Sequence, residues 1–148
     1  MAGVPDPLVG FQFALDVGGH VTGYFTECGG IGSEHEVIEQ KVVDDAGHDV
    51  VKKMPGRMKW NDVTLKRGIT DNMQIWDWRD KVVNGDVDGA RQNCSVIMFD
   101  RTYKPAAQWD FTNAWPVKVT GPDFKSDSND FGIEELVLTH EGMKRVKI

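Results

Sequence analysis

The stretch PGRMKWNDVTLKRGITDNMQIWDWRDKVVNG, residues 55–85, holds both periodicities from which the fold is read. Pro55 and Gly56 interrupt what precedes them, and residues 58–66 then predict a β-strand. At Asp71 the period changes. Ile75, Trp78 and Val82 recur at helical spacing, with Trp76 and Val83 beside them, so residues 71–84 predict an amphipathic helix. Asp71 with Gln74 three residues on resembles a capping box in which Asp replaces Ser or Thr, and Gly85 supplies the stop. Trp76 and Trp78 lie only two apart, so they cannot share the centre of the buried stripe. One is expected to face the core and the other to pack at its edge or at a subunit contact.

Working outward, the remaining signals have period two. Phe11, Phe13, Leu15 and Val17 alternate with Gln12, Ala14 and Asp16, Gly18 and Gly19 turn the chain, and residues 20–27 return as a second strand. Residues 34–43 predict a third strand, Asp44, Asp45, Ala46 and Gly47 a turn, and residues 50–53 the way back. Glu34, Glu36, Glu39, Gln40, Lys41, Lys52 and Lys53 make this second hairpin polar on both faces. Because a lone hairpin is barely stable in water, it must either lie disordered or find its packing partner elsewhere. Residues 85–94 read as a polar loop and residues 95–103 as a strand. Trp109, Phe111, Trp115, Val117 and Val119 share one parity in the next strand. Residues 121–130 predict a polar loop. Residues 132–141 predict a strand with Ile133, Glu135 and Val137 on one face and Leu136 and Leu138 on the other, and residues 143–148 a short edge. Many strands with one helix give a mainly β fold: a small β-barrel or sandwich with one packed α-helix and an extended β-hairpin. Residues 1–148 are expected to form one domain, without linker or repeat.

Composition narrows the function. A net charge of −6 argues against a surface built to hold nucleic acid, which gains affinity from clustered Lys and Arg. No run approaches the length of a membrane span, so no membrane anchor is expected, and residues 1–8 lack the pattern of a secretory signal. Cys28 and Cys94 are too few for a disulfide framework and too distant for a CxxC motif; both read as small residues in or near the core of a protein folded in a reducing cytoplasm.

Catalytic, cofactor and metal constellations are not expected. His20, His35, His48 and His140 are scattered; His35 and His48 flank one hairpin, but two His do not complete a structural zinc site. Gly29, Gly30 and Gly32 lack the Lys-Ser/Thr of a phosphate loop and read as a turn between strands. Residues 127–132 begin like a calcium loop but place Phe131 and Leu138 where carboxylates are required. The five tryptophans, Trp60, Trp76, Trp78, Trp109 and Trp115, are better explained by core or interface packing than by ligand stacking on an acidic protein.

Four segments resemble the phage tail-tube family. Residues 25–39, FTECGGIGSEHEVIE, are similar to its second strand and the start of its hairpin. The family shows a strand ending in Leu-Lys-Arg-Gly followed by a helix with a Trp-x-Trp pair, matched here by Leu65, Lys66, Arg67 and Gly68, then Trp76 and Trp78. Residues 109–118, with Trp115 and Pro116, match its later strand, and residues 133–136 followed by His140, Glu141 and Gly142 match its closing one. Trp60 belongs to the same set. The likeness covers nearly the whole chain in the expected order.

The resemblance implies an architecture similar to that of the type VI secretion tube protein. It also implies a structural role: six copies form a ring, and rings stack into a hollow tube inside a contractile sheath. The implied partners are further copies of the chain, the sheath, baseplate and terminator proteins, and a cargo of DNA or effector protein. The implied final location is a virion tail or a released injection particle. Only the hairpin tip, Val42, Val43, Asp44, Asp45, Ala46, Gly47, His48, Asp49, Val50 and Val51, looks individual, and it is the expected assembly element. Exposed strand edges of that kind are a liability in a monomer and a means of joining subunits in a polymer. Two other readings stay open on the residues alone: a type VI secretion tube protein, and a small ligand-binding β-domain using the tryptophans.

Overall fold

A computed structural model describes residues 12–122 and 132–148. The chain runs β1 (Phe13–Val17), β2 (His20–Phe25), β3 (Glu27–Gly29), β4 (Ser33–Val43), β5 (Asp49–Trp60), β6 (Val63–Gly68), α1 (Gln74–Val83), α2 (Val87–Ala90), β7 (Gln92–Phe99), β8 (Pro105–Thr120), β9 (Ile133–Thr139) and β10 (Gly142–Val146). An antiparallel sheet has the order β2-β1-β7-β8-β9-β6-β3, with β10 continuing β9 along β8. Its two ends are one segment of chain. β2 pairs with β1, the Thr26 amide donates to the Lys66 carbonyl at 2.9 Å, and β3 pairs with β6. The sheet thereby returns on itself as a small barrel, which leaves few unpaired edges.

Inside lie Leu15, Phe25, Val63, Leu65, Val96, Phe111, Leu136 and Leu138, all buried, and α1 lays Ile75 and Trp78 against them. The helix phase agrees with the sequence: Ile75 and Trp78 are buried, Val82 packs against the core, and Val83 is exposed. Its ends differ in detail. Asp71 makes no cap; Asn72 Oδ1 accepts from the Gln74 amide at 2.9 Å instead, because the first helical turn begins two residues later than the motif implies. At the other end Gly85, at φ +90, donates to Val82 O while Asp86 donates to Lys81 O, a Schellman closure that only glycine adopts cheaply.

Three boundaries and one strand parity depart from expectation. β5 continues through Pro55 and Gly56 to Trp60, and the break falls at Asn61 and Asp62. A bulge between His35 and Val37 absorbs the proline, which sits on a strand whose other edge is unpaired, where a missing N–H costs little. Residues 87–90 form the short helix α2, capped by the Asp86 carboxylate on the Gly89 amide, and β7 ends at Phe99 in a turn held by Asp100. In β8 the parity does not hold. Asn113, at φ +49, marks a register shift after which Ala114 and Pro116 face inward. A second shift after Pro116 leaves Val117 exposed and returns Val119 to the core side. Phe11 and most of the expected loop at residues 121–130 lie outside the described residues.

Candidate functional site

The candidate site is the β4–β5 hairpin, a two-stranded sheet separate from the barrel. It is eleven residues up and twelve back, and no residue in it is buried. Its tip is ordered by one side chain: Asp44 Oδ1 accepts from the amides of Ala46 (3.0 Å) and His48 (2.7 Å), and Gly47 takes φ +84 to close the turn. Val42 pairs with Val50, Lys41 with Val51, and Val43 with Asp49, while Asp45 and Ala46 form the apex. His48 sits at this tip and His35 near the base opposite Met58, so the two do not approach.

The hairpin is less polar than its sequence suggests. Directly opposed residues share a face, so Ile38 with Met54 and Val42 with Val50 form an apolar row on one side, and Val37 with Pro55 on the other. Val37, Ile38, Val43, Val51, Met54 and Met58 are all exposed, Val43 at 65%. Over residues 34–53 the charged residues mask Val37, Ile38, Val43 and Val51, which only the register of the pairing sorts into rows. The longer β5 supplies Met54 and Met58.

Apart from Trp60, the family-motif residues belong to the barrel and the helix. Leu65 is fully buried. Arg67 is 4% exposed, and its Nε donates to Glu134 Oε2 at 3.0 Å while Nη2 donates to the Asn72 carbonyl at 2.9 Å. The guanidinium lies over the Phe25 ring, 5.3 Å from its centroid. Glu134 uses its other oxygen to accept from Trp76 Nε1 at 3.0 Å, and Asn72 Nδ2 donates to the Thr22 carbonyl at 3.2 Å. One buried ion pair thus ties β6, β9, β2 and the start of α1 together. Gly23 makes room for it, since a Cβ there would lie 2.7 Å from Arg67 Nη1. Trp78 Nε1 donates to the Ala90 carbonyl at 2.6 Å, which fastens α2 to α1. At Gly68 a Cβ would meet nothing within 4 Å, so packing does not account for that glycine.

Where the hairpin meets the barrel, Trp60 lies 5.7 Å from the His140 ring and Phe111 lies 4.8 Å from it on the core side. His140 Nε2 is 3.1 Å from the Asn61 carbonyl, which can only accept, so Nε2 carries the proton. Burial lowers the His140 pKa below the usual imidazole value, against the opposing pull of the Asn61 and Gly142 backbone and the Asp62 charge. Gly30, at φ +82, crosses this joint so closely that a Cβ would meet the Asp62 carbonyl oxygen. Trp115 and Trp109 pack against the core, Trp109 beneath the Arg145 guanidinium, and Pro116 is buried in the β8 bulge with its carbonyl 3.4 Å from Arg79 Nη1.

No group of three or more metal-ligating side chains occurs among the described residues. A groove beside β3, lined by Phe13, Glu27, Cys28 and Lys66, holds one nucleophile, but burial pushes the Cys28 thiol up to about 11. Cys94 goes to about 12 through burial and the Asp16 charge. Neither is a thiolate at neutral pH.

The profile of the T4-like virus tail tube protein gp19 family matches residues 9–144. The chain belongs to the tail tube protein family. No curated protein sequence matches it. Its fold is also that of solved tube proteins. A chain of the sheath–tube complex of the extracellular contractile injection system PVC superposes with a TM-score of 0.74 at 22% identity, covering 99% of this chain and 95% of that one. A chain of the anti-feeding prophage tube-terminating cap gives 0.73 at 20% identity, with 99% and 95% covered. Hcp1 from Flavobacterium johnsoniae gives 0.54 at 15% identity, with 91% and 94% covered. The tail tube architecture here is thus a mainly β barrel with a packed helix and a projecting hairpin, as the sequence resemblance implied.

Proposed function

We propose that this chain is the inner-tube subunit of a contractile phage tail or extracellular contractile injection system. Six copies close a ring, rings stack into a hollow conduit, and a contractile sheath surrounds it. Baseplate and terminator proteins bound the tube at its ends, and DNA or an effector protein travels in the lumen. The subunit performs no catalysis. It acts within a virion tail or an injection particle.

The observation that carries this reading is the β4–β5 hairpin in a chain matched to the tail tube family over residues 9–144. Its twenty-three strand residues include none that is buried among the described residues, and the ring contact of Trp60 with His140 lies at its base. Exposed apolar rows of this size on a soluble protein mark an interaction surface. Val42 through Val51, the most distant part, reaches the neighbouring subunit or ring.

The test replaces residues 44–49 with a short Gly-Ser link. The variant is expected to keep its circular dichroism and thermal unfolding while losing tube growth in sedimentation. Tubes of normal length from that variant would remove the hairpin from the assembly role.

A further inference from the structure

The two strands of the hairpin carry opposite charge. β4 holds Glu34, Glu36 and Glu39 against one Lys, and β5 holds Lys52, Lys53, Arg57 and Lys59 against one Asp. Only near the tip is the sorting reversed, with Lys41 and Asp49. Glu34 faces Lys59 across the hairpin and Glu39 faces Lys53. Among the described residues these carboxylates make no ion pair within the subunit. Among the described residues each strand pairs along one edge only, so β4 offers an open acidic edge and β5 an open basic one.

We propose that this charge sorting decides which edge meets which: the β5 edge of one subunit joins the β4 edge of the next copy, and like edges are refused. The inference rests on the tube-subunit reading and adds the chemistry of the contact. Subunits related by rotation about a tube axis present all their β4 strands in one direction and all their β5 strands in the other. A β5 beside the next β4 is therefore antiparallel, as within the hairpin itself. In that arrangement Glu34 and Glu39, which already face Lys59 and Lys53, gain a second basic strand beside them, and Lys53 and Lys59 a second acidic one, so strands of opposite charge alternate across the joint. A two-fold dimer made through two β4 edges or two β5 edges would set like charges opposite each other, which destabilises paired strands. Such isologous pairing stops at two copies, whereas a head-to-tail joint propagates and closes a ring. The sorting thus selects against the dimer that an open strand edge would otherwise invite.

The experiment uses two full-length variants. One carries Glu34→Lys, Glu36→Lys and Glu39→Lys, the other Lys52→Glu, Lys53→Glu and Lys59→Glu; all six residues are exposed, so both are expected to fold, as circular dichroism checks. Each variant alone should need at least about tenfold more protein than the parent to assemble, from the loss of several cross-strand pairs per joint. Mixed in equal amounts they should co-assemble, because basic and acidic hairpins then alternate around an even-numbered ring. Normal assembly of either variant alone, or failure of two folded variants to assemble together, overturns the proposal. Should either variant misfold, the parent decides: its assembly must slow as salt is raised from about 0.05 to 0.5 M, and salt-independent assembly overturns the proposal. A parent that forms no polymer under any of these conditions contradicts the tube reading itself, which keeps the two failures distinct.

Discussion

At the scale of single residues, the unusual chemistry sits at two places: the Arg67–Glu134 pair between barrel and helix, and His140 where the barrel meets the hairpin. Arg67 and Glu134 are both almost fully buried, and each has a further partner, the Asn72 carbonyl for Arg67 and the Trp76 indole for Glu134. A buried ion pair gains little over a well-packed apolar pair, but removing one partner leaves an uncompensated charge. Arg67→Ala is therefore expected to cost about 3–5 kcal/mol, read as a fall of roughly 10 °C in thermal unfolding for a chain of this size. Trp78→Ala removes a buried ring and its hydrogen bond to Ala90, with a comparable expected cost of about 3–5 kcal/mol; a soluble variant with unchanged melting would place Trp78 outside the core. His140 gives a pH signature. Its folded-state pKa is lowered, so the unfolded chain takes up the proton first as pH falls. Stability from this residue is fully present above about 6.5, the ordinary imidazole value, and is lost progressively below it. Melting curves of the parent should fall through that window, and His140→Gln should flatten this part of the pH dependence. The two thiols are held protonated, so a Cys28→Ala, Cys94→Ala double variant should assemble as the parent does, with or without reducing agent.

At the scale of elements, what could be read from the sequence follows from how local the determinants are. The α1 stripe of Ile75, Trp78 and Val82 is set by period alone and agrees with the structure. So does the split of β9 into an inward Leu136 and Leu138 and an outward Ile133 and Val137. The errors sit where a long-range pairing overrides a local signal. Pro55 and Gly56 read as a break, yet β4 supplies the partner that carries β5 through them by a bulge. Val117 fits the parity of β8, but the shifts at Asn113 and Pro116 turn it outward, and no residue spacing announces a bulge. The buried network was visible only as the motif Leu-Lys-Arg-Gly followed by Trp-x-Trp. That Arg67 meets Glu134, sixty-seven residues away, belongs to the barrel's closure and not to any local pattern. The joint between hairpin and barrel yields a sharp prediction. Gly30→Ala forces both a positive φ and a contact with the Asp62 carbonyl, so it is expected to destabilise the subunit, whereas Gly29→Ala, with open space around it, should be nearly neutral in the same melting assay.

At the scale of the whole molecule, the barrel closes on itself, and the longest open surface among the described residues is the projecting hairpin. The barrel and helix have a buried core of their own, with single apolar residues such as Val21, Val83 and Ile133 left exposed, while the hairpin buries no residue and gathers six exposed large apolar side chains and sorted charges on one element. That division suits a unit that folds alone and completes itself only by joining others, in agreement with membership of the tail tube family. The most direct measurement is negative-stain electron microscopy of the purified full-length protein over rising concentration. The account predicts six-fold rings and hollow tubes whose number grows with protein concentration. A population that stays monomeric at the highest concentration, with no ring or tube in the images, would contradict it.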